Sequence, residues 1–266
     1  DSAGTKQPPV HTEILVRPIH RGVNDIGSWR SALRLADLGN RTKLYDLFTD
    51  LLIDGYLSDA IDKRIDAVTD ADLAFTIDGK QIDEMDALMD TPEFESLLRE
   101  IMLSRFWGVS LIECLFLDGF GFKSIPRKHI RTKTKEVAIR EEDEHGIPYA
   151  GNDLIIQFGQ DDDFGILLRA APFVIYKRGG FGDWAQFVEL FGMPQRIGKY
   201  SSMDEQSRRA LIQAFEEAGS APYLVIPKET EATQTTLSSS GNGALYNDFR
   251  GACNEEILIT VLGQTM

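Results

Sequence analysis

Apolar residues between positions 40 and 70 fall at Leu44, Leu47, Phe48, Leu51, Leu52, Tyr56, Leu57, Ile61, Ile65 and Val68. That three-and-four spacing predicts an amphipathic helix, either one long helix or two abutting ones with Gly55 as the break. Residues 73–77 alternate as a short strand, and Gly79 turns the chain. Thr91-Pro92-Glu93 reads as an N-cap followed by proline at the first helical position, opening a helix over 93–107 that Gly108 ends. Residues 110–117 are apolar and β-compatible enough for a buried strand, turned back by Asp118-Gly119.

The middle third predicts short strands at 122–125, 136–140 and 154–158, with a turn at His145-Gly146-Ile147-Pro148. Helical spacing returns over 164–191, where Pro172 and Gly179-Gly180-Phe181-Gly182 predict an interruption and a loosened joint before a helix at 183–191. Gly192 and Pro194 should stop that helix. A strand at 195–200, a helix at 202–218 and a strand at 223–226 follow, then an extended Thr-rich run at 230–237 and a flexible loop at 238–243. A final amphipathic helix is predicted over 244–262.

Composition places the chain among folded proteins. Its 266 residues are 42% hydrophobic and 26% charged, which excludes disorder as a whole, while the first ten residues read as a loose tail. No stretch reaches the ~18 consecutive apolar residues of a membrane span, so a soluble, intracellular protein is expected. A net charge of −14 argues against a protein that wraps nucleic acid by neutralising phosphates, so any contact with DNA should be non-adhesive. The two cysteines, Cys114 and Cys253, lie far apart among apolar neighbours and read as buried hydrophobes.

Candidate chemistry is sparse. His11, His20, His129 and His145 lack metal-like spacing and read as surface or turn residues. Asp161-Asp162-Asp163 lacks the alternation and glycine of a calcium loop and reads as a solvated acidic turn. The 179–182 glycine cluster precedes a helix, but it lacks the Lys-Ser/Thr of a phosphate loop and follows helix instead of strand, which favours a hinge. No metal, cofactor or catalytic set is expected. Two other classes stay open: a metal-dependent nucleic-acid-processing enzyme, whose only candidate carboxylates are Asp153 and the Asp161 cluster, and an interaction module without a DNA role.

The run Trp184-Ala185-Gln186-Phe187-Val188-Glu189-Leu190-Phe191-Gly192-Met193-Pro194-Gln195-Arg196-Ile197-Gly198-Lys199-Tyr200 resembles the signature of Mu-like bacteriophage portal proteins, in which a Trp- and Phe-bearing helix ends at Gly-x-Pro before an Arg-Ile-Gly-Lys-Tyr strand. Trp107-Gly108-Val109-Ser110-Leu111-Ile112-Glu113, Val225-Ile226-Pro227 and Asn254-Glu255-Glu256-Ile257 extend the similarity over about residues 30–266. Family members continue past the Gly263-Gln264-Thr265 segment, so the chain is expected to be a fragment, and residues 125–154 are only loosely like the family.

The resemblance implies an α+β, portal-like fold. It places a flexible tail at 1–23, a wing-like domain at 24–171, a stem helix at 172–193, a clip at 194–227, and a linker with a second stem helix at 228–266. It implies a homo-oligomeric ring, usually dodecameric, at a capsid vertex of the virion, assembled in the host cytoplasm. Its implied partners are the terminase large subunit, capsid and head-completion proteins, and double-stranded DNA passing through the channel, with no membrane and no cofactor. Trp184, Phe187, Arg196, Ile197, Lys199 and Val225 are the residues it points to at a subunit interface or the channel.

Overall fold

The fold was read from a computed structural model that describes residues 10–15, 26–116, 121–191, 196–201, 203–217, 223–228 and 239–264. It mixes helices with small sheets, in agreement with the α+β expectation, and divides into two compact units. One comprises residues 1–175 and 254–266, the other 176–253. No helix among the described residues is long and apolar enough to cross a membrane.

The first unit starts on a 3-10 turn, Val10–Thr12, and a helix α1 (Ile26–Asp37), which was not foreseen. Next come α2 (Thr42–Leu51) and α3 (Gly55–Thr69). The break between them falls just before Gly55, because the Asp54 carboxylate accepts from the backbone N–H groups of Tyr56 and Leu57, both at 3.1 Å, and so caps α3. A hairpin of β1 (Thr76–Ile77) and β2 (Lys80–Gln81) leads to the short α4 (Asp83–Met89), also unforeseen, and to α5 (Pro92–Trp107). The Thr91 hydroxyl accepts from the Phe94 N–H at 3.3 Å, as the Thr-Pro-Glu start predicts.

Strands β3 (Val109–Leu115), β4 (Gly121–Ile125) and, later in the chain, β8 (Ile155–Gly159) form an antiparallel sheet in the order β4-β3-β8. A second antiparallel sheet joins β5 (Ile130–Arg131), β6 (Glu136–Val137) and β7 (Ile147–Pro148). The expected strand over 136–140 is thus cut to two residues and part of the 145–148 turn pairs as β7. The Asp118-Gly119 turn lies outside the described residues.

The core gathers around α2, where Tyr45 and Phe48 meet Trp107 at ring-centroid distances of 5.8 and 5.7 Å, and it takes in Leu111 of β3 and Val174 and Val261 of the late helices. Gly108 has φ 89°, and a Cβ there would lie 2.2 Å from the Asp163 carbonyl oxygen. Only glycine fits both the left-handed backbone and that approach.

Helix α6 (Ile166–Phe191) corrects the expected joint at residues 179–182: it runs unbroken past Pro172 and through all three glycines, and starts before residue 172. Pro172 removes one backbone donor, but Leu167, Ala170, Ala171 and Val174 around it are fully buried, and that packing holds the turn helical. The helix ends at Phe191, where Gly192 and Pro194 predict the stop.

In the second unit β9 (Arg196–Tyr200), α7 (Glu205–Glu217) and β10 (Tyr223–Pro227) follow in the predicted order, and β9 and β10 pair in parallel. The last helix, α8 (Ser239–Leu262), begins within the segment read as a flexible loop. The Thr-rich run at 230–237 lies outside the described residues.

Three readings of individual residues change. Residues 10–15, expected in the tail, are docked: Val10 is buried and the Leu15 N–H donates to the Ile139 carbonyl at 2.9 Å. His129 is fully buried with its Nδ1 2.9 Å from the Ala138 carbonyl oxygen, and His11 pairs with Glu113, so neither is a plain surface residue, while His20 lies outside the described residues. The Asp161–Asp163 turn is an anchored one. The Arg41 guanidinium donates to the carbonyls of Asp161 and Asp163, and the Asp161 carboxylate accepts from Lys135 at 2.5 Å and Gln157 at 2.8 Å.

Candidate assembly surface

The residues singled out in the sequence fall in the second unit, in two groups. Trp184 and Phe187 sit on the later part of α6, which packs on the early part of α8. Gly180 and Phe181 of α6 meet Phe249 and Arg250 of α8, while Phe187, further along α6, meets Tyr246, earlier in α8, so the two helices run antiparallel.

Gly180 makes this contact possible, since a Cβ there would lie 2.9 Å from the Phe249 ring. Gly180 thus admits an aromatic ring against the helix backbone, a contact that offsets its poor helix propensity. The Phe187 and Tyr246 rings meet tilted at 41° with centroids 6.1 Å apart, Phe181 and Trp184 lie 5.9 Å apart, and the Arg250 guanidinium stands over Phe181 at 6.0 Å.

This pair of helices keeps much apolar surface in water. Trp184 is 37% exposed, and Tyr176, Phe181, Val188, Leu245 and Phe249 are exposed as well. Clustered exposed aromatic and branched side chains are what a protein surface shows where something docks. Phe181, Trp184 and Val188 repeat at helical spacing, a stripe hidden in the sequence by reading the glycine cluster as a joint. Tyr246, Phe249 and Arg250 were likewise missed, since the resemblance assigns both helices to a stem without saying which residues of α8 face α6.

The second group, Arg196, Ile197, Lys199 and Val225, lies in the β9-β10 sheet. The register sets Ile197 opposite Leu224, Gly198 opposite Val225 and Lys199 opposite Ile226. A Cβ on Gly198 would meet Phe215 and Leu211 of α7 at 2.9 and 3.4 Å, so α7 covers the face that Gly198 and Val225 share. Lys199 belongs to the other face by alternation. Lys199 is exposed and Val225 half-buried, while the side chains of Arg196 and Ile197 lie outside the described residues.

The ionisable groups of the first unit form structural networks. The Tyr149 hydroxyl donates to Gln157 at 2.8 Å and its pKa is pushed up to about 12, first by burial and then by the nearby Asp161 charge. Burial also pushes both cysteine thiols up, and both are buried as their apolar neighbours predict. Among the described residues no group of three or more His, Cys, Asp or Glu is placed to hold a metal ion. A family model described as the portal protein of Mu bacteriophage matches residues 45–266. No curated protein matches the chain.

Proposed function

The chain belongs to the portal protein family of Mu bacteriophage, and from that premise we propose that it is a subunit of the ring at the capsid vertex through which double-stranded DNA is packaged and released. Membership of a family that is structural and non-enzymatic in general, and that assembles with capsid and DNA, carries this reading. In it, residues 24–171 act as the wing, the α6–α8 pair as the stem and residues 194–227 as the clip that meets the terminase large subunit. The ring is a dodecamer, and capsid and head-completion proteins bind around it.

The exposed side chains of the helix pair support this assignment. Trp184 sits among the rings that neighbouring stems would cover, and burying one such aromatic side chain contributes roughly 1.5–3 kcal/mol. Among the described residues no further strand pairs with the two-stranded β9-β10 sheet, and a unit of that size needs outside support, which strand pairing with the next subunit would supply.

Electron microscopy and sedimentation of the full chain test the proposal. Rings are expected, and Trp184→Glu should reduce them at least tenfold while circular dichroism is preserved. A chain that stays monomeric at tens of micromolar, or rings untouched by Trp184→Glu, would overturn the stem assignment.

A further inference from the structure

Two exposed surfaces of the first unit carry opposite excess charge around an apolar centre. The first is the lobe between α3 and α5. Residues 70–90 hold seven carboxylates and one cation, Lys80. Leu73, Phe75 and Ile77 alternate along the β1 arm and share one face, and all three are exposed. Asp78 and Gly79, both at positive φ (52° and 77°), make the tight turn, and the Phe75 N–H donates to the Asp86 carboxylate at 2.8 Å, so the lobe holds a defined form. Two strands without a third are marginal in water, and an uncovered apolar face on such a hairpin gains most from a partner.

The second surface is the corner at the end of α1. Arg30 and Arg34 are one turn apart, exposed, and in line with Leu38, which is 79% exposed. Lys133, also exposed, donates from Nζ to the Asp37 carbonyl at 2.5 Å and brings a third cation beside Leu38, so that three cations stand there against the one exposed carboxylate of Asp37.

We propose that these surfaces meet between copies of the chain, the acidic hairpin lobe of one subunit against the Arg30–Arg34–Leu38 corner of the next. The occupant is a second copy because the same chain carries both halves: opposite charges around apolar centres. Such a contact is head to tail, and a head-to-tail contact generates a ring when its rotation closes. Apolar contact between Ile77 and Leu38 supplies attraction, and the charges set register and make the contact salt-dependent. The inference rests on the assembly reading above, since it names a contact that such a ring would use.

Cysteine crosslinking in the full chain tests it independently of ring closure. With Leu38→Cys and Ile77→Cys in one chain, mild oxidation should give a ladder of interchain disulfides, and neither single variant should give more than a trace of dimer. Asp72→Lys with Glu84→Lys should cut the ladder at least tenfold, Arg30→Glu with Arg34→Glu should do the same, and all four together should restore it. Absence of the 38–77 crosslink overturns the contact, whether or not rings form. So does a ladder indifferent to the charge reversals, or a 38–38 dimer from the single variant. A lobe reversal that blocks capsid incorporation with no 38–77 crosslink would assign the lobe to a different cationic protein. A charge-dependent crosslink in a chain that never closes rings would instead retain the contact and remove the portal-ring reading.

Discussion

Glu113 is a carboxylate in the middle of a buried strand, and the docked N-terminal residues depend on it. Its oxygens accept from the Val10 N–H at 2.7 Å, the His11 N–H at 3.0 Å and the His11 ring Nδ1 at 2.6 Å. Burial opposes its ionisation, but the His11 ring and the two backbone donors outweigh burial and hold its pKa below the usual carboxylate range. A depressed folded pKa means stability that is present above the unfolded value, about 4.3, and lost as pH falls through the folded value. Glu113→Gln should therefore destabilise the chain by about 1–3 kcal/mol near neutral pH, and the difference from wild type should shrink below about pH 4. Thermal melts over that range, with proteolysis at residues 10–15 as a local readout, check this. A constant difference down to about pH 3 would show that the carboxylate charge is not what holds the segment.

Among elements, α6 separates local propensity from packing. Gly179 and Gly182 have nothing within 4 Å of a would-be Cβ, whereas at Gly180 the Phe249 ring occupies that space. Gly179→Ala and Gly182→Ala should each stabilise the helix by about 0.5–1 kcal/mol, while Gly180→Ala should lose that gain or destabilise, because the ring must shift. Urea unfolding of the three variants distinguishes them, and equal stabilisation at all three sites would remove Phe249 from its assigned place.

The same helix shows what the sequence makes legible. Helices with local signals were readable: the apolar rows of α2 and α3, the Thr91-Pro92 start of α5, and the β9-α7-β10 succession with its own stops. What stayed hidden depends on contacts far along the chain. The packing over Gly180 in α6 comes from Phe249, the anchoring of the Asp161 turn from Arg41, and the docking of Val10 from Glu113. At the candidate site, Trp184 and Phe187 were visible through a family motif, but their neighbours Tyr246, Phe249 and Arg250 come from a helix that the motif does not mention. Helix α1 carries Ile26, Trp29, Leu33 and Ala36 at helical spacing and was legible but overlooked, whereas α4, at 7 residues, is too short to show such a row.

For the whole molecule, charge and its placement bear on DNA. The net charge is −14, yet residues 123–140 are rich in lysine and arginine, and as bare sequence that stretch would pass for a phosphate-binding patch. The fold uses much of it internally. Arg127 donates to Glu100 and to the Ser110 hydroxyl, both at 2.8 Å, and Lys128 pairs with Asp46. Arg131 is buried and donates to the carbonyls of Lys128, Glu141 and Asp143 at 2.7, 2.8 and 2.9 Å, and Lys135 pairs with Asp161. Cations held this way cannot release counterions from a duplex, and counterion release is the main source of non-specific affinity. The surrounding acidic surface adds repulsion that reaches about one Debye length, ~8 Å at physiological salt. The full chain should therefore leave duplex DNA of about 30 base pairs less than about one-tenth bound at about 10 µM protein and about 0.15 M salt, which puts its Kd at or beyond the weak end of the usual non-specific range of roughly 10⁻⁴ to 10⁻⁶ M. Fluorescence anisotropy of labelled duplex across a salt series measures it. A submicromolar Kd that weakens steeply with salt would mean that these cations reach phosphates after all, and that DNA is gripped by this surface instead of sliding past it.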